Sequence, residues 1–560
     1  MCSRRSTTRD IAEKRLLGAY YTPERLSDIL SRWAIRSCHD QILEPSFGGC
    51  GFLKSATKIL TELGSQDPRQ SIYGCDIDTV AFQFLAEVFE SPVDLHRFLK
   101  QDFLDINEPP NWPANFDVVI GNPPYIPFQK IESEKRSELN RRIVGAGKLG
   151  GRAGLWAYFV AHSISMLKEG GRMAWVLPGA YLHANYAREL RNYLSQHFVK
   201  LACYVIHERL FLNEGTDEET IILLAEGHSL EPHDVCSVSF REAKTLTELE
   251  SLIESWSKTT SSRNASYERP ALLNLKGKAR LSYETLASTA VCKTFGDMAL
   301  VNIGVVTGAN DFFVLNHDQL LEKGLKPSDC DPIVAKFKQI SGLEYTDNDH
   351  DSALESGFKG YLVNGFGREN NENVFAYIDT FPTERRNTTA TFKKRKVWYN
   401  TGDTKMPDAF FPVMHHSGPK LVLNTMGCNS TNTIHRVYFK DSINQSKKEL
   451  LCISILSSFS QISAEIVGRR YGSGVLKHEP SEAKKIAVLM PEISTEAVKL
   501  AFLKIDTALR QDDFVEAMTI ADSLLASALP TGKLRDCFGL LPEALEKIRK
   551  QRRPQRYIQA

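Results

Sequence analysis

Four consecutive residues, Asn122, Pro123, Pro124 and Tyr125, stand where a buried strand should turn, after the apolar run 118–120 and one glycine. The two prolines fix φ and remove backbone N–H donors from the turn. The side-chain oxygen of Asn122 and the carbonyl of Pro123 can then accept hydrogen bonds from one amino group. The Tyr125 ring can stack on the base that carries this amino group.

This arrangement suits methylation of an exocyclic amino group. The amino group of adenine is a poor nucleophile because its lone pair is delocalised into the ring. Two acceptors on its N–H bonds favour the tetrahedral nitrogen that attacks a methyl donor, and they stabilise the positive charge that develops. No strong base is required beforehand, since the proton becomes acidic only after transfer. The alternative is a plain turn in which Asn and Pro merely end the strand.

A glycine-rich turn earlier in the chain predicts a binding site for a second ligand. In "EPSFGGCGFL" (44–53), a strand enters a turn that opens a helix. Gly48, Gly49 and Gly51 allow the backbone to approach a ligand closely, and the helix start presents free N–H groups. No lysine follows as in a phosphate-binding loop. The ligand is therefore expected to be an adenosine without phosphates.

The next two strand ends strengthen this prediction. Asp76 closes the strand in "GCDID", where an acid can bind both hydroxyls of a ribose. Asp102 and Phe103 follow the third strand; the carboxylate can accept a hydrogen bond from the adenine amino group, and the ring can pack on the base. A dinucleotide enzyme would use an acid at residue 76 as well, and each acid alone is more often a solvated loop residue.

The elements that must position these residues alternate between about 40 and 225, with short apolar strands separated by helical stretches. This alternation predicts an α/β fold with a doubly wound, Rossmann-like sheet that binds ligands at the carboxyl ends of its strands. Beyond a polar segment the predicted elements become mixed and β-rich. Helices with a basic tail are predicted at the end of the chain. The predicted boundaries are 1–235 for the first domain, 236–290 for a linker, 291–495 for the second domain and 496–560 for the helical end.

Composition places the chain among ordinary globular proteins, with 560 residues, 42% hydrophobic residues and a net charge of +1. No apolar run has the length of about 20 residues that a membrane span needs, and the start lacks a secretory signal, so a cytoplasmic protein without a membrane partner is expected. The eleven cysteines have no metal-ligand spacing, and no metal site is predicted.

The sequence resembles the γ-group adenine-N6 DNA methyltransferases of restriction–modification systems. Five elements match in order: "GAYYTP" (18–23), "EPSFGGCGFL", "GCDID", "QDF" and "IGNPPY". The resemblance implies S-adenosyl-L-methionine as the methyl donor, double-stranded DNA as the substrate, and a target-recognition domain after the catalytic domain. The donor-binding residues that it implies are Tyr21, Thr22 and Pro23 at the methionine moiety, Glu44, Ser46 and Gly48 at the glycine turn, Asp76 at the ribose, and Asp102 and Phe103 at the adenine.

The target adenine must leave the duplex to reach such a site. Tyr125 is expected to form one face of the base pocket, and the resemblance suggests Phe211 as a second aromatic residue. A long, glycine-punctuated basic segment follows the turn, and it is predicted to close over the base and contact phosphates. The predicted DNA contacts are Arg141 and Arg142 in that segment, and Arg385, Arg386, Lys393, Lys394, Arg395 and Lys396 in the second domain.

Several alternatives stay open. Cytosine N4 presents the same kind of amino group, although the resembling cytosine enzymes more often carry Ser at the position of Asn122. RNA or protein methylation is disfavoured by the large extra domain. A bifunctional enzyme that also cuts DNA is disfavoured because only 17 residues precede "GAYYTP", so a separate cognate endonuclease is expected. A non-catalytic DNA-binding specificity subunit conflicts with the intact Asn122, Tyr125 and Asp76.

Overall fold

A computed structural model describes residues 21–89, 94–107, 109–141, 149, 153–184, 186–206, 208, 210, 220–233, 236, 238–258, 275, 277–368, 370–401, 405–470 and 474–552. The chain divides into two compact units, with the division near residue 273. This division falls inside the segment 236–290 that the sequence predicts as a linker. The first unit continues through a strand and a helix of that segment, which end at Ser257.

The first unit is built around an eight-stranded sheet. Its strands are β1 (Ile42–Glu44), β2 (Ile72–Cys75), β3 (Phe98–Leu99), β4 (Phe116–Gly121), β5 (Leu167–Pro178), β6 (Phe198–Ile206), β7 (Thr220–His228) and β8 (Val238–Ala243). Its helices are α1 (Glu24–Ala34), α2 (Gly51–Glu62), α3 (Thr79–Phe89), α4 (Ser133–Arg141), α5 (Leu155–Ile164), α6 (Ala180–His183), α7 (Ala187–His197) and α8 (Leu246–Ser257).

The strand order is β3-β2-β1-β4-β5-β7-β6-β8. Strands β3, β2, β1, β4 and β5 are parallel to one another, whereas β7 pairs antiparallel with both β5 and β6. The chain moves outward from β1 to β3 and then returns to β4 on the other side of β1. This reversal creates a topological switch point between β1 and β4, where doubly wound sheets bind their ligands.

Helices cover both faces of this sheet because its strands are apolar on both sides. Along β4, Val118 and Ile120 belong to one buried cluster, which includes α1, α2 and α3. Val119 points to the opposite face and belongs to a second cluster, which includes α5 and α7. The predicted α/β, doubly wound architecture is confirmed.

The second unit is mixed and contains several small sheets. Its strands are β9 (Cys292–Thr294), β10 (Ala299–Ile303), β11 (Val314–Leu315), β12 (Asp331–Val334), β13 (Glu344–Tyr345), β14 (Tyr361–Leu362), β15 (Ala409–Pro412), β16 (Met414–His415), β17 (Val422–Asn424), β18 (Asn429–Ser430), β19 (Ile434–Phe439), β20 (Arg469–Arg470), β21 (Leu476–Lys477) and β22 (Ala487–Leu489). The largest sheet has five strands in the order β10-β19-β15-β17-β13. The predicted β-rich region is therefore confirmed.

Helices accompany these sheets and form the end of the described chain. They are α9 (Gly277–Ala287), α10 (Phe295–Met298), α11 (Asn310–Phe313), α12 (His317–Glu322), α13 (Asp347–Glu355), α14 (Glu372–Ile378), α15 (Thr383–Thr388), α16 (Ala390–Lys393), α17 (Gln445–Leu456), α18 (Ser458–Val467), α19 (Pro480–Ala483), α20 (Thr495–Arg510), α21 (Phe514–Ser527), α22 (Gly532–Phe538) and α23 (Leu541–Arg552). The predicted C-terminal helices are present as α20 to α23.

A buried ion pair fixes the last of these helices to the second unit. The Arg552 guanidinium on α23 donates to both carboxylate oxygens of Glu465 on α18, at 2.9 and 2.8 Å. Both side chains are almost completely buried. A paired guanidinium and carboxylate satisfy each other in such a site, whereas either one alone would be strongly unfavourable.

Within the described residues, no single helix is long and apolar enough to cross a membrane. The bent pair α17 and α18 passes the length and composition test only when the two helices are taken together. No group of three or more potential metal ligands occurs in the same described part of the chain.

Candidate active site

The four adjacent strands β3, β2, β1 and β4 end at one edge of the sheet, and a cleft opens there. Its empty volume is about 970 Å³, including space open to solvent. The sequence-predicted residues that line it are Tyr21, Thr22, Glu44, Ser46, Gly48, Asp76, Asp102, Phe103, Asn122 and Pro124. Residues separated by up to 103 positions in the sequence therefore share one site.

The glycine turn after β1 brings backbone close to the cleft. Gly48 has a φ of +45°, and Cys50, which precedes α2, has a φ of +60°. The turn is closed by the Cys50 N–H, which donates to the Phe47 carbonyl at 2.6 Å. A Cβ on Gly49 would lie 3.0 Å from the Tyr21 ring. The absence of a side chain at residue 49 thus allows Tyr21 to cover the turn.

Asp76 is held at the end of β2 by backbone donors. Its two carboxylate oxygens accept the N–H of Gly48 at 2.9 Å and the N–H of Asp78 at 2.8 Å. The side chain is buried, and burial raises its pKa although these hydrogen bonds oppose the shift. The carboxylate is therefore fixed at the cleft beside the glycine turn.

Glu44 places a second buried acid in the same cleft. It is 2% exposed and its Oε2 has no hydrogen-bond partner among the residues that the structure describes. Its pKa is raised well above the usual value, first by burial and then by the negative charge of Asp76, while the Leu53 N–H lowers it. Two neighbouring buried acids make the cleft favourable for a ligand that carries positive charge.

The third strand end contributes Asp102 and Phe103. The Asp102 carboxylate accepts the Leu104 N–H at 3.0 Å, and Lys135 on α4 donates to its other oxygen at 3.0 Å. Phe103 is buried and packs against the Phe159 ring, with centroids 5.3 Å apart. The Asp102 carboxylate and the Phe103 ring consequently both line the cleft.

The fourth strand end carries the Asn-Pro-Pro-Tyr turn. Asn122 follows β4 directly, and its Nδ2 donates to the Thr22 hydroxyl at 3.2 Å, which sets the orientation of the carboxamide. Pro124 lines the cleft and Pro123 is buried behind it. Tyr125 is half-buried and packs against the apolar cluster that includes α5. Pro23 follows Thr22 and is the N-cap residue of α1.

Comparisons with known proteins identify the family. The model of the Eco57I restriction-modification methylase matches residues 83–211, and the model of the Type II methyltransferase M.Eco57I C-terminal domain matches residues 269–526. Type II methyltransferase M.AccI of Acinetobacter calcoaceticus is 23% identical over 487 residues, covering 85% of this chain and 86% of that protein. The chain belongs to the DNA methyltransferases of restriction–modification systems.

Further relatives of this methyltransferase are consistent with that relationship. Type II methyltransferase M.HindII of Haemophilus influenzae is 22% identical over 344 residues, which cover 60% of this chain and 61% of that relative. The solved structure of the Type IIL restriction–modification enzyme MmeI in complex with DNA matches with a TM-score of 0.57 and 12% identity, covering 97% of this chain and 80% of that chain. At this identity the structural match concerns the fold alone.

Sequence reasoning missed several residues of the methyltransferase cleft. Ile126, Leu155 and Phe159 form an apolar wall, and Gln101 lines the cleft beside Asp102. Leu155 and Phe159 are four residues apart on α5, so the helical spacing was a signal for their common face. Nothing in the sequence around Lys135 indicates its pairing with the residues after β3.

The residues of the second unit that are predicted to contact DNA differ in their interactions within the methyltransferase. Arg385 forms a two-point ion pair with Asp311, with both distances 2.6 Å. Arg395 is half-buried and donates to the carbonyls of Thr307 and Trp398 at 2.9 and 3.1 Å. The side chains of Lys393, Lys394 and Lys396 are exposed, and Arg386 lies over the Trp398 ring at 5.1 Å.

Of the remaining residues with a predicted role at the DNA, only Arg141 lies in the part of the chain that the structure describes. Arg141 is exposed at the end of α4, and its Nε donates to the Ser137 carbonyl at 3.1 Å. Arg142 and Phe211 lie outside the described residues, so their predicted roles in phosphate contact and base stacking stay predictions.

Proposed function

We propose that this methyltransferase transfers a methyl group from S-adenosyl-L-methionine to the N6 amino group of an adenine flipped out of duplex DNA. The observation that carries the proposal is that Asn122 of the Asn-Pro-Pro-Tyr turn lines the same cleft as Asp76 and Asp102. An acceptor for a reacting amine thus lies in one site with two acids suited to an adenosine.

The residues of the cleft fit the donor. Asp76 suits the ribose hydroxyls, Asp102 the adenine amino group, and the Phe103 edge the adenine ring. The buried acid Glu44, with an oxygen that has no partner among the described residues, favours a ligand with positive charge. When bound, S-adenosyl-L-methionine supplies an electrophilic methyl group on a positively charged sulfur.

Asn122 and Pro123 are proposed to hold the acceptor amine. The Asn122 side-chain oxygen and the Pro123 carbonyl each accept one N–H of the target base, which directs the nitrogen lone pair towards the methyl carbon. The nitrogen–carbon bond forms as the carbon–sulfur bond breaks, and the electron pair of that bond stays on sulfur. The extra proton then leaves the nitrogen to solvent, so neutral methylated base and neutral thioether result.

Tyr125 is proposed to stack on the flipped base. Its half-buried position against the apolar cluster gives the ring limited freedom, which lowers the entropy lost when a base packs on it. Stacking of this kind contributes on the order of 1–3 kcal/mol per base.

The second unit is proposed to recognise the DNA sequence, with a separate endonuclease as the partner that cuts unmodified DNA.

The alternative acceptor is cytosine N4, which has the same hydrogen-bonding pattern at its amino group. The presence of Asn at residue 122 favours adenine, because the resembling cytosine-N4 enzymes more often have Ser there. Acceptors in RNA or in protein, including glutamine side chains, are not favoured, since two consecutive restriction–modification family models match both units.

Substitution of Asn122 tests the proposal. Asn122→Ala removes one acceptor of the amine, and we expect methylation of unmodified duplex DNA to fall by at least about 100-fold while calorimetry shows unchanged donor binding. Asn111→Ala, an exposed residue of the same unit, is the matched control and should retain activity. Full activity of Asn122→Ala would refute the assignment.

A further inference from the structure

Lys135 connects the donor cleft to the helix that follows the Asn-Pro-Pro-Tyr turn. This lysine lies on α4, and its Nζ is 3.0 Å from Oδ2 of Asp102 and 2.7 Å from Oδ1 of Asp105. Its side chain is only 23% exposed. Both carboxylates raise the lysine pKa, although burial opposes them. Lys135 is therefore a cation held between two acids and partly removed from solvent.

The geometry indicates that Lys135 acts on Asp102 and not directly on a ligand. Asp102 lines the cleft, whereas Lys135 approaches its carboxylate from outside the cleft lining. The second carboxylate oxygen of Asp102 accepts the Leu104 N–H. Two donors at different oxygens fix the rotation of the carboxylate, so its remaining lone pairs have defined directions.

We propose that Lys135 is a positioning residue that holds the Asp102 carboxylate for the 6-amino group of the donor purine. The inference rests on the proposed function, and it adds a determinant of donor specificity that lies on α4. It also makes recognition of the donor adenine depend on the placement of this helix, which follows the catalytic turn in the chain.

Removal of the lysine should affect the purine 6-position selectively. Without Lys135, Asp102 and Asp105 lose the cation that they share, and their negative charges repel each other. The Asp102 side chain can then rotate, and its hydrogen bond to a 6-amino group weakens. A ligand with a 6-carbonyl group has no donor at the 6-position, so its affinity should depend much less on the same rotation.

The test compares two nucleosides on four proteins by calorimetry. The probes are S-adenosylhomocysteine and S-inosylhomocysteine, which differ in the 6-amino and 6-carbonyl groups. The proteins are the full chain, Lys135→Met, Lys135→Arg as the conservative variant, and Lys130→Met as the control. Lys130 is an exposed lysine in the short helical turn Phe128–Lys130 shortly before α4.

We expect Lys135→Met to weaken binding of S-adenosylhomocysteine about tenfold. Asp102 loses its charge-assisted hydrogen bond from Lys135 and is no longer held towards the 6-amino group. Binding of S-inosylhomocysteine should change less than about twofold, Lys135→Arg should restore the preference for the amino compound, and Lys130→Met should match the unsubstituted chain. The KM for the methyl donor should rise in Lys135→Met, while kcat at saturating donor stays within about twofold.

Two results would overturn the inference. Equal losses for both nucleosides would show that Lys135 supports the structure generally, and unchanged affinities would show that it has no role at the cleft. Failure of the unsubstituted chain to bind either nucleoside would instead refute the proposed donor site, and the inference with it. The measured ratio of affinities thus separates the two failures.

Discussion

At the scale of single residues, two buried carboxylates line the cleft. Glu44 and Asp76 are both buried at neighbouring strand ends, and burial raises the pKa of each. A cationic donor stabilises their ionised forms, whereas its product after methyl transfer has lost the positive charge on sulfur. Under the proposed function we therefore expect the two acids to favour the donor over the product, and to do so only when they are ionised.

This difference predicts a pH-dependent preference for the donor. In the free protein the raised pKa values mean that both acids bind protons more tightly than usual, and binding of the cation expels these protons. The affinity for S-adenosyl-L-methionine relative to S-adenosylhomocysteine should consequently rise with pH and level off above the free-protein pKa values. Calorimetry with both ligands between about pH 5.5 and pH 8.5 measures the ratio.

Glu44→Gln provides the control for that measurement. The variant keeps the shape of the side chain but cannot ionise, so its ratio should depend less on pH. A ratio that is flat for the unsubstituted chain would contradict the role assigned to the two acids.

At the scale of elements, the order of the strands explains why residues distant in sequence form one site. The alternation of strands and helices predicted the parallel region and the acids at its carboxyl edge, because each strand end is marked locally by its own residues. The antiparallel β7 was not foreseen, since pairing direction depends on partners far along the chain. The pairing of Lys135 with Asp102 was not foreseen for the same reason, because the two residues lie on either side of β4 in the sequence.

One element contains an acid that stabilises the fold only in its protonated form. Asp522 on α21 is buried and accepts the N–H of Ser458, the first residue of α18, at 2.8 Å. Burial raises the Asp522 pKa to about 7. Since the folded-state pKa exceeds the unfolded value, the contribution of this group is most favourable below the unfolded pKa. It is lost progressively as the pH rises towards 7.

Asp522→Asn should therefore stabilise the second unit at high pH. The amide oxygen can still accept the Ser458 N–H, but no charge has to be buried. We expect the free energy of unfolding at about pH 8 to increase by an amount on the order of 1–3 kcal/mol, with a smaller increase near pH 5. Denaturant unfolding at both pH values measures this difference, and destabilisation at pH 8 would contradict the assignment.

At the scale of the whole molecule, the net charge of +1 gives no general attraction to a polyanion, so DNA binding must depend on local positive charge. The sequence identified a basic cluster at 385–396 but could not show which of its members are engaged within the fold. Arg385 pairs with Asp311, 74 positions away, and Arg395 donates to backbone carbonyls. The exposed Lys393 and Lys394 are better placed to meet phosphates.

The double variant Lys393→Ala/Lys394→Ala should weaken DNA binding at low salt. Each phosphate contact releases counterions, so loss of two contacts should reduce the slope of log affinity against log salt by about 1.8. Lys547→Ala/Lys550→Ala is the matched control, because these exposed lysines on α23 pair with Glu543 and Glu546. An unchanged slope for the first variant would exclude the two lysines from the DNA interface.

The identity of the methylated nucleoside tests the central claim most directly. The chain is incubated with S-adenosyl-L-methionine carrying a labelled methyl group and unmodified duplex DNA, and the digested nucleosides are separated by mass spectrometry. We expect the label in N6-methyladenine. Label in N4-methylcytosine, or DNA without any label under conditions in which the donor binds, would contradict methylation of adenine by this chain.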